Sequence, residues 1–372
     1  MTSRSRFALL ALLLTWTLGC GDSGSSPKQG ASEGVKRIVF LTNGDDPFWD
    51  ALLQGLLEGE KKFGLAKAGL KVERDVNNAT AEGQITRLQR YASSGDIAAV
   101  AISVIQADNP AIVEEMRKLQ SMGIPVITVD GDVNRKEFRD ARSFYIGTDN
   151  VVGGRTLGTA TKALLEARGI KDGGYVQFAG FTDNDNARSR MDGFNEAIGD
   201  AYAEKDRMPD QMDRNKAQDN VRTALDNHKD IKALIGIWAY NAPAIAEVVD
   251  ERGVHDKVVV ATFDAQAAAI DKMEQGLIDV LVVQNPFDMG VQTVRLLRAM
   301  IAKDNTTIAE MFPNKDQPDG DVYTTGLRLV VPDNKSPIDE ERFKKLFDEN
   351  VVEYMTLVKF KEWLKEYDLT SS

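Results

Sequence analysis

The sequence predicts an α/β protein of two doubly wound parallel-sheet lobes, joined by a multi-segment hinge and followed by a helical C-terminal extension. From Val35 onward, short apolar runs of strand length alternate with amphipathic segments of helical spacing, the order that builds parallel strands with right-handed crossovers. After Asn150 the same alternation begins again, which argues for two similar lobes. The 372 residues, 42% hydrophobic and 28% charged, supply enough core for two lobes and exclude a disordered chain.

The first strand is Ile38-Val39-Phe40-Leu41. It delivers the chain to Thr42-Asn43-Gly44-Asp45-Asp46, and Pro47 then opens a helix along which Trp49, Leu52, Leu53, Leu56 and Leu57 recur on one face until Gly64. Further strands are expected at Lys71 to Val76, Ala98 to Val104 and Ile124 to Asp130, with helices at Ala81 to Ser94 and Asn109 to Met122. Ala98 to Val104 is apolar almost throughout, as a strand covered on both faces must be.

In the second half, strands are expected at Tyr175 to Ala179, Ile231 to Trp238, Val258 to Phe263 and Val280 to Val283. Helices are expected at Val152 to Ala167, Asp185 to Ile198, Lys216 to Asn227, Ala244 to Glu251, Ala267 to Gly276 and Met289 to Ala302. The polar segment Asp200 to Asp213 should hold a further strand, and Tyr323 to Val331 a last one. The N-terminal lobe then comprises 35–147 and 285–322, the C-terminal lobe 148–284 and 323–332. From Asp333 the composition changes, and 333–372 reads as a helical extension. Phe343, Leu346, Phe347, Phe360 and Trp363 are too many apolar residues to leave in water, so the extension should pack on a lobe. Its removal is expected to lower the melting temperature and to leave ligand affinity nearly unchanged.

Ahead of the body, residues 1–19 have the form of a secretion signal: Arg4 and Arg6, then an apolar core from Phe7 to Trp16 too short to span a bilayer permanently. Thr17-Leu18-Gly19-Cys20 resembles the bacterial lipoprotein signal, which makes Cys20 the expected lipidation site and first mature residue. It is also the one cysteine of the chain, so there is no intrachain disulfide and no thiolate metal cluster. Gly21 to Gly34, rich in Gly and Ser, reads as a tether spanning about 20 Å. The net charge of −11, without a basic stripe, excludes nucleic acid as a partner.

Enzyme motifs are missing. The chain has no phosphate-binding loop, no dinucleotide fingerprint and no nucleophile elbow, and only His228 and His255 could serve as imidazoles. No catalytic residue, cofactor or metal is therefore expected. What remains is a set of polar and aromatic residues at strand ends, where the ligand crevice of an open α/β sheet lies. These are Asp46, Phe48, Trp49, Ser103, Asp130, Asp132, Arg188, Trp238, Phe263, Asp264, Gln284 and Asn285. Asp46 also suits a helix cap, and Phe48 and Trp49 a hydrophobic staple. Trp238 and Phe263 suit core packing as well as ligand contact.

Six stretches appear in the order found in the sugar-binding receptors of ABC importers: Asp46-Pro47-Phe48-Trp49; Ile124 to Asp130; Ile146-Gly147-Thr148-Asp149-Asn150; Asn186 to Phe194; Thr262-Phe263-Asp264; and Val283-Gln284-Asn285-Pro286. Over Val35 to Val331 the chain resembles the ribose-binding type, a fold shared with the lac repressor core. The resemblance implies a periplasmic, monomeric receptor that closes on its ligand and presents it to an ABC permease in the membrane. It implies that Phe48 and Trp49 stack on a sugar ring, that Asp46, Asp130, Arg188, Asp264 and Gln284 bind its hydroxyls, and that Ser103 and Trp238 contribute nearby. Gly131 stands where the ribose class has an arginine, and Trp238-Ala239-Tyr240-Asn241 replaces its Asn-Asp pair. One matched arginine against three or four acids disfavours anionic sugars and suits a neutral monosaccharide or polyol. A sensor subunit serving a receptor kinase or chemoreceptor shares every one of these features. A secreted carbohydrate-active enzyme would instead need Asp46 and Asp264 as an acid and nucleophile pair.

Overall fold

The computed structural model describes residues 34–333 and 336–372. The expected signal, Cys20 and all of the tether but Gly34 lie outside the described residues. Among those described, no helix is long and apolar enough to cross a membrane.

The first lobe is built from β1 (Lys36–Leu41), α1 (Phe48–Lys62), β2 (Leu70–Asp75), α2 (Ala81–Ser94), β3 (Ile97–Ile102), α3 (Pro110–Ser121), β4 (Val126–Val129) and β5 (Tyr145–Gly147). The second contains α4 (Asn150–Ala167), β6 (Gly173–Ala179), α5 (Asp185–Ile198), β7 (Tyr202–Pro209), α6 (Arg214–Asn227), β8 (Ile231–Gly236), α7 (Asn241–Arg252), β9 (Val259–Phe263), α8 (Ala267–Glu274) and β10 (Val280–Val283). The chain returns to the first lobe through α9 (Pro286–Ala302), α10 (Asn305–Met311) and β11 (Val322–Thr324). It ends on the second with β12 (Leu327–Val331), α11 (Glu340–Leu346), β13 (Val352–Thr356) and α12 (Leu357–Glu366).

The two sheets are wound alike. Their orders are β11-β5-β4-β3-β1-β2 and β13-β12-β10-β9-β8-β6-β7, so the first five strands of each lobe occupy equivalent places. Every pairing is parallel except β10 with β12. Each order reverses beside the lobe's first strand, and a crevice opens at the carboxyl ends of the strands there. Side-chain caps set the helix starts: Thr80, Asn109, Asp149, Asn184 and Asp213 each accept a first-turn N–H.

Small residues let the helices approach one another. A Cβ on Gly154 of α4 would sit 2.1 Å from the Arg190 carbonyl oxygen of α5, and one on Gly193 would sit 2.3 Å from the Val151 carbonyl. This close contact fixes α5, which carries much of the site described below.

Three crossings join the lobes: between β5 and α4, between β10 and α9, and between β11 and β12. They are tied together by hydrogen bonds, Thr148 Oγ1 donating to Gln284 Oε1 at 2.7 Å and the Thr325 N–H to the Gly147 carbonyl at 2.7 Å. The single strand expected over Tyr323 to Val331 is therefore two. Val322–Thr324 completes the first sheet beside β5, and the chain crosses before Leu327 enters the second. A continuous β-rich run cannot reveal that its two halves pair in different sheets.

The polar segment after Asp200 does hold a strand, β7, at the edge of its sheet and paired only with β6. Edge strands need few apolar residues, which is why its signal is weak. The extension packs on the second lobe as expected, with Phe343 and Phe360 buried. Between its two helices lies β13, which pairs parallel with β12 and covers what would otherwise be an open edge.

Candidate functional site

The turn after β1 presents Asp46. Its carboxylate accepts the Phe48 N–H at 2.9 Å, capping α1, and also accepts two bonds of 2.9 and 3.0 Å from the Gln266 side-chain amide of the second lobe. Cap and site residue are thus one and the same. Phe48 and Trp49 follow in the first helical turn, edge to face with ring centroids 4.9 Å apart.

Asp130 and Asp264 end β4 and β9 in the same local sequence, Thr-x-Asp, and both are left-handed, with φ of 64° and 63°. Such a conformation costs on the order of 1 to 3 kcal/mol and tends to be kept where a side chain must be aimed. Here both carboxylates are aimed at Arg190. Its Nη2 lies 3.7 Å from Asp130 Oδ1 and its Nη1 3.8 Å from Asp264 Oδ2, attracted but not hydrogen-bonded.

Arg190 is held from behind. Its Nε donates to Asn150 Oδ1 at 2.9 Å, its Nη1 to the Ile237 carbonyl at 3.0 Å, and the guanidinium lies over the Phe263 ring at 4.5 Å. Nη2 is buried and makes no hydrogen bond among the described residues. A hydroxyl between these groups can accept from Nη2 and donate to a carboxylate, giving two charge-assisted bonds at once.

These groups surround a cavity between the lobes. Asn43, Asp46, Phe48, Trp49 and Asp130 line it from the first lobe, Asn186, Arg190, Met212, Trp238, Ala239, Tyr240 and Asp264 from the second, and Gln284 from the hinge. The lobes are closed on one another. Asn186 donates to Asp130 Oδ2 at 3.0 Å, and Asn184 donates to the Val104 and Ile105 carbonyls at 3.0 Å each. Burial pushes the Asp46, Asp130 and Asp264 carboxyls each up to about 6; Arg190 opposes that rise at the latter two.

A family model described as a periplasmic binding protein domain matches residues 38–305. The chain belongs to the periplasmic binding protein family. The D-allose-binding periplasmic protein of Escherichia coli is 24% identical over 267 residues, 70% of this chain and 82% of that one. The ribose import binding protein of Bacillus subtilis is 22% identical over 289 residues, 77% and 87% of the two chains. Among solved structures, an ABC transporter solute-binding protein from Agrobacterium vitis with bound D-fucose superposes with a TM-score of 0.69 at 18% identity, covering 84% of this chain and 100% of that one.

In this binding protein the residues singled out in the sequence are placed differently, and Asn285 stands outside the cavity as the cap of α9, its side chain accepting the Asp288 N–H at 3.1 Å. Asp46, Phe48, Trp49, Asp130, Trp238, Asp264 and Gln284 meet in the cavity. Ser103 lies one step back: fully buried, it accepts the Gly131 N–H at 3.2 Å and approaches Asp130 Oδ2 at 3.5 Å. Phe263 is also buried, beneath Arg190. Asp132, by contrast, is taken up by a structural pair, with Arg142 2.8 Å away keeping its carboxyl below the usual range despite burial.

Arg188 is a correction. It lies outside the cavity and pairs across the lobes with Asp108 at 3.1 Å, while Arg190 occupies the place expected of it. Helical geometry gives the reason: Asn186, Arg190 and Phe194 recur every four residues and share the buried face of α5, and Arg188 points elsewhere. The buried Phe194 was the available signal.

Asn43, Asn186, Met212 and Tyr240 were also missed. Asn186 accepts the Trp238 indole N–H at 2.9 Å, and the Tyr240 hydroxyl donates to buried Asp210. Gly131 has its own explanation. A Cβ there would meet the Val104 carbonyl at 2.8 Å and Ser103 Oγ at 2.9 Å, so the arginine of the ribose class has no room.

Proposed function

We propose that this binding protein is a lipid-anchored extracytoplasmic receptor that binds a neutral monosaccharide or polyol and delivers it to an ABC permease. The observation that carries the reading is Arg190, which lines the cavity between Asp130 and Asp264 and keeps a buried donor with no partner among the described residues. A sugar hydroxyl both donates and accepts, and it satisfies such a trio where an apolar or singly functional ligand would leave buried groups unpaired. Phe48 and Trp49 supply the apolar wall for the C–H face of the ring. Three carboxyls and one guanidinium line the cavity, a balance that would repel a sugar phosphate or sugar acid. Allose, ribose and fucose, named for the relatives above, are all neutral aldoses.

Delivery to a permease is supported by the family, and anchoring by Cys20 and its signal. The reading is of a binder that returns its ligand unchanged. Isothermal titration against a panel of neutral aldoses, polyols, sugar phosphates and sugar acids tests it. Binding of one or more neutral compounds with no binding of the anions is expected; a preference for the anionic compounds would defeat the reading. Cys20→Ser is expected to release the protein from the membrane fraction.

A further inference from the structure

We propose that the segment Leu369–Ser372 is a positioning element of the ligand site, holding the Asp264 loop and the hinge in their binding arrangement. The proposal rests on the reading of the cavity as a sugar site. Its origin is a pair of reciprocal bonds: the Ser372 N–H donates to the Ala265 carbonyl at 3.1 Å, and the Ala265 N–H donates to the Ser372 carbonyl at 2.6 Å. Ala265 stands between Asp264, which lines the cavity, and Gln266, which holds Asp46 from the opposite lobe. Ser372 Oγ also donates to the Gln284 carbonyl at 3.0 Å, and the Gln284 amide donates to Asp264 at 3.0 Å. One residue therefore ties together the loop, the hinge and, through them, two of the three cavity carboxylates.

The segment is itself well held. Leu369 shares a core with Ala265 and Phe360, its N–H donates to the Leu364 carbonyl at 2.8 Å, and Ser371 and Ser372 are buried. Tyr367 packs against Phe287, in the first turn of α9 beyond the hinge, with centroids 5.6 Å apart. The extension thus touches both sides of the second crossing.

A clamp is needed at this point in the loop for a physical reason. Asp264 is held at a φ of 63°, which an aspartate leaves readily unless neighbouring bonds hold it there. If the bonds to Ser372 are lost, the Ala265 N–H and carbonyl rehydrate and the loop relaxes, taking the Asp264 carboxylate away from Arg190. The extension lies beyond residue 305, where the match to the family model stops.

The test uses the parent, a deletion of 369–372, Ser372→Ala and Phe343→Ala. The last loosens the extension at α11, away from the clamp. Amide exchange at Ala265 is followed in ligand-free protein, and affinities for D-ribose, D-allose and D-fucose are measured by titration. The deletion is expected to speed Ala265 exchange at least tenfold and to weaken binding about tenfold; Ser372→Ala, which keeps the backbone pair, should weaken binding about threefold. Phe343→Ala should lower the melting temperature and leave affinity within twofold. Ala265 exchange unchanged by the deletion, or Phe343→Ala weakening binding as much as the deletion does, would overturn the proposal. If the parent binds none of the three sugars the sugar reading is in question, and Ala265 exchange alone decides whether the clamp exists.

Discussion

Two arginines two residues apart on α5, and so on different faces of the helix, should differ sharply in what they do. Among the described residues Arg190 is the one cation within 4 Å of Asp130 and Asp264, and Arg190→Ala removes it together with its unpaired buried donor. Losing a buried charged partner from a closed site costs about 2 to 4 kcal/mol of binding, or roughly 30- to 1,000-fold in affinity at 1.4 kcal/mol per tenfold. The same change removes the bonds to Asn150 and the Ile237 carbonyl, each worth about 1 kcal/mol, so the ligand-free protein should also melt several degrees lower. Arg188→Ala removes a cross-lobe pair between partly exposed side chains, 36% and 50% accessible, where screening leaves about 0 to 1 kcal/mol. Its expected effect is a loss of at most about fivefold. Titration of both variants with any sugar that the parent binds, beside thermal unfolding without ligand, makes the comparison. Equal losses in the two variants, or affinity retained in Arg190→Ala, would refute the assignment.

Three further outcomes follow from the same geometry. Asn184→Ser keeps the α5 cap but cannot reach the Val104 and Ile105 carbonyls; loss of two bonds of about 1 kcal/mol each should weaken every ligand alike, about 30-fold, since only the closed form suffers. The raised carboxyls make closure pH-dependent. Because Asp46, Asp130 and Asp264 have pKa values near 6 when enclosed and near 3.8 when rehydrated, the closed ligand-free form binds more protons. Its stabilisation is therefore complete below about pH 4 and is lost as pH rises through about 6. Small-angle scattering should show a larger ligand-free radius at neutral pH than near pH 4.5, and the opposite trend would contradict it. Gly154→Ala forces a Cβ against the Arg190 carbonyl, and separating α4 from α5 should cost about 1 to 3 kcal/mol in thermal or denaturant unfolding and weaken binding as Arg190 shifts.

Much of this molecule is legible in its sequence because the relevant signals are local. Apolar runs such as Ile38 to Leu41 must become buried strands, Asn109-Pro110 must start a helix, and the repeated alternation must produce two similar sheets, as the matched strand orders show. The strand-end position of Asp46, Asp130 and Asp264 follows from those same patterns. Even the choice of Arg190 over Arg188 was present in the spacing from Phe194, although it takes the buried face of α5 to give that spacing meaning. Other features depend on residues far apart in the chain. Gln266 meets Asp46 across 220 positions, β11 and β12 divide one β-rich run between two sheets, and Ser372 reaches the hinge through the fold of the whole extension. Periodicity tells a segment which face to bury, whereas the identity of its neighbour is decided only when the lobes pack and every buried donor must find an acceptor.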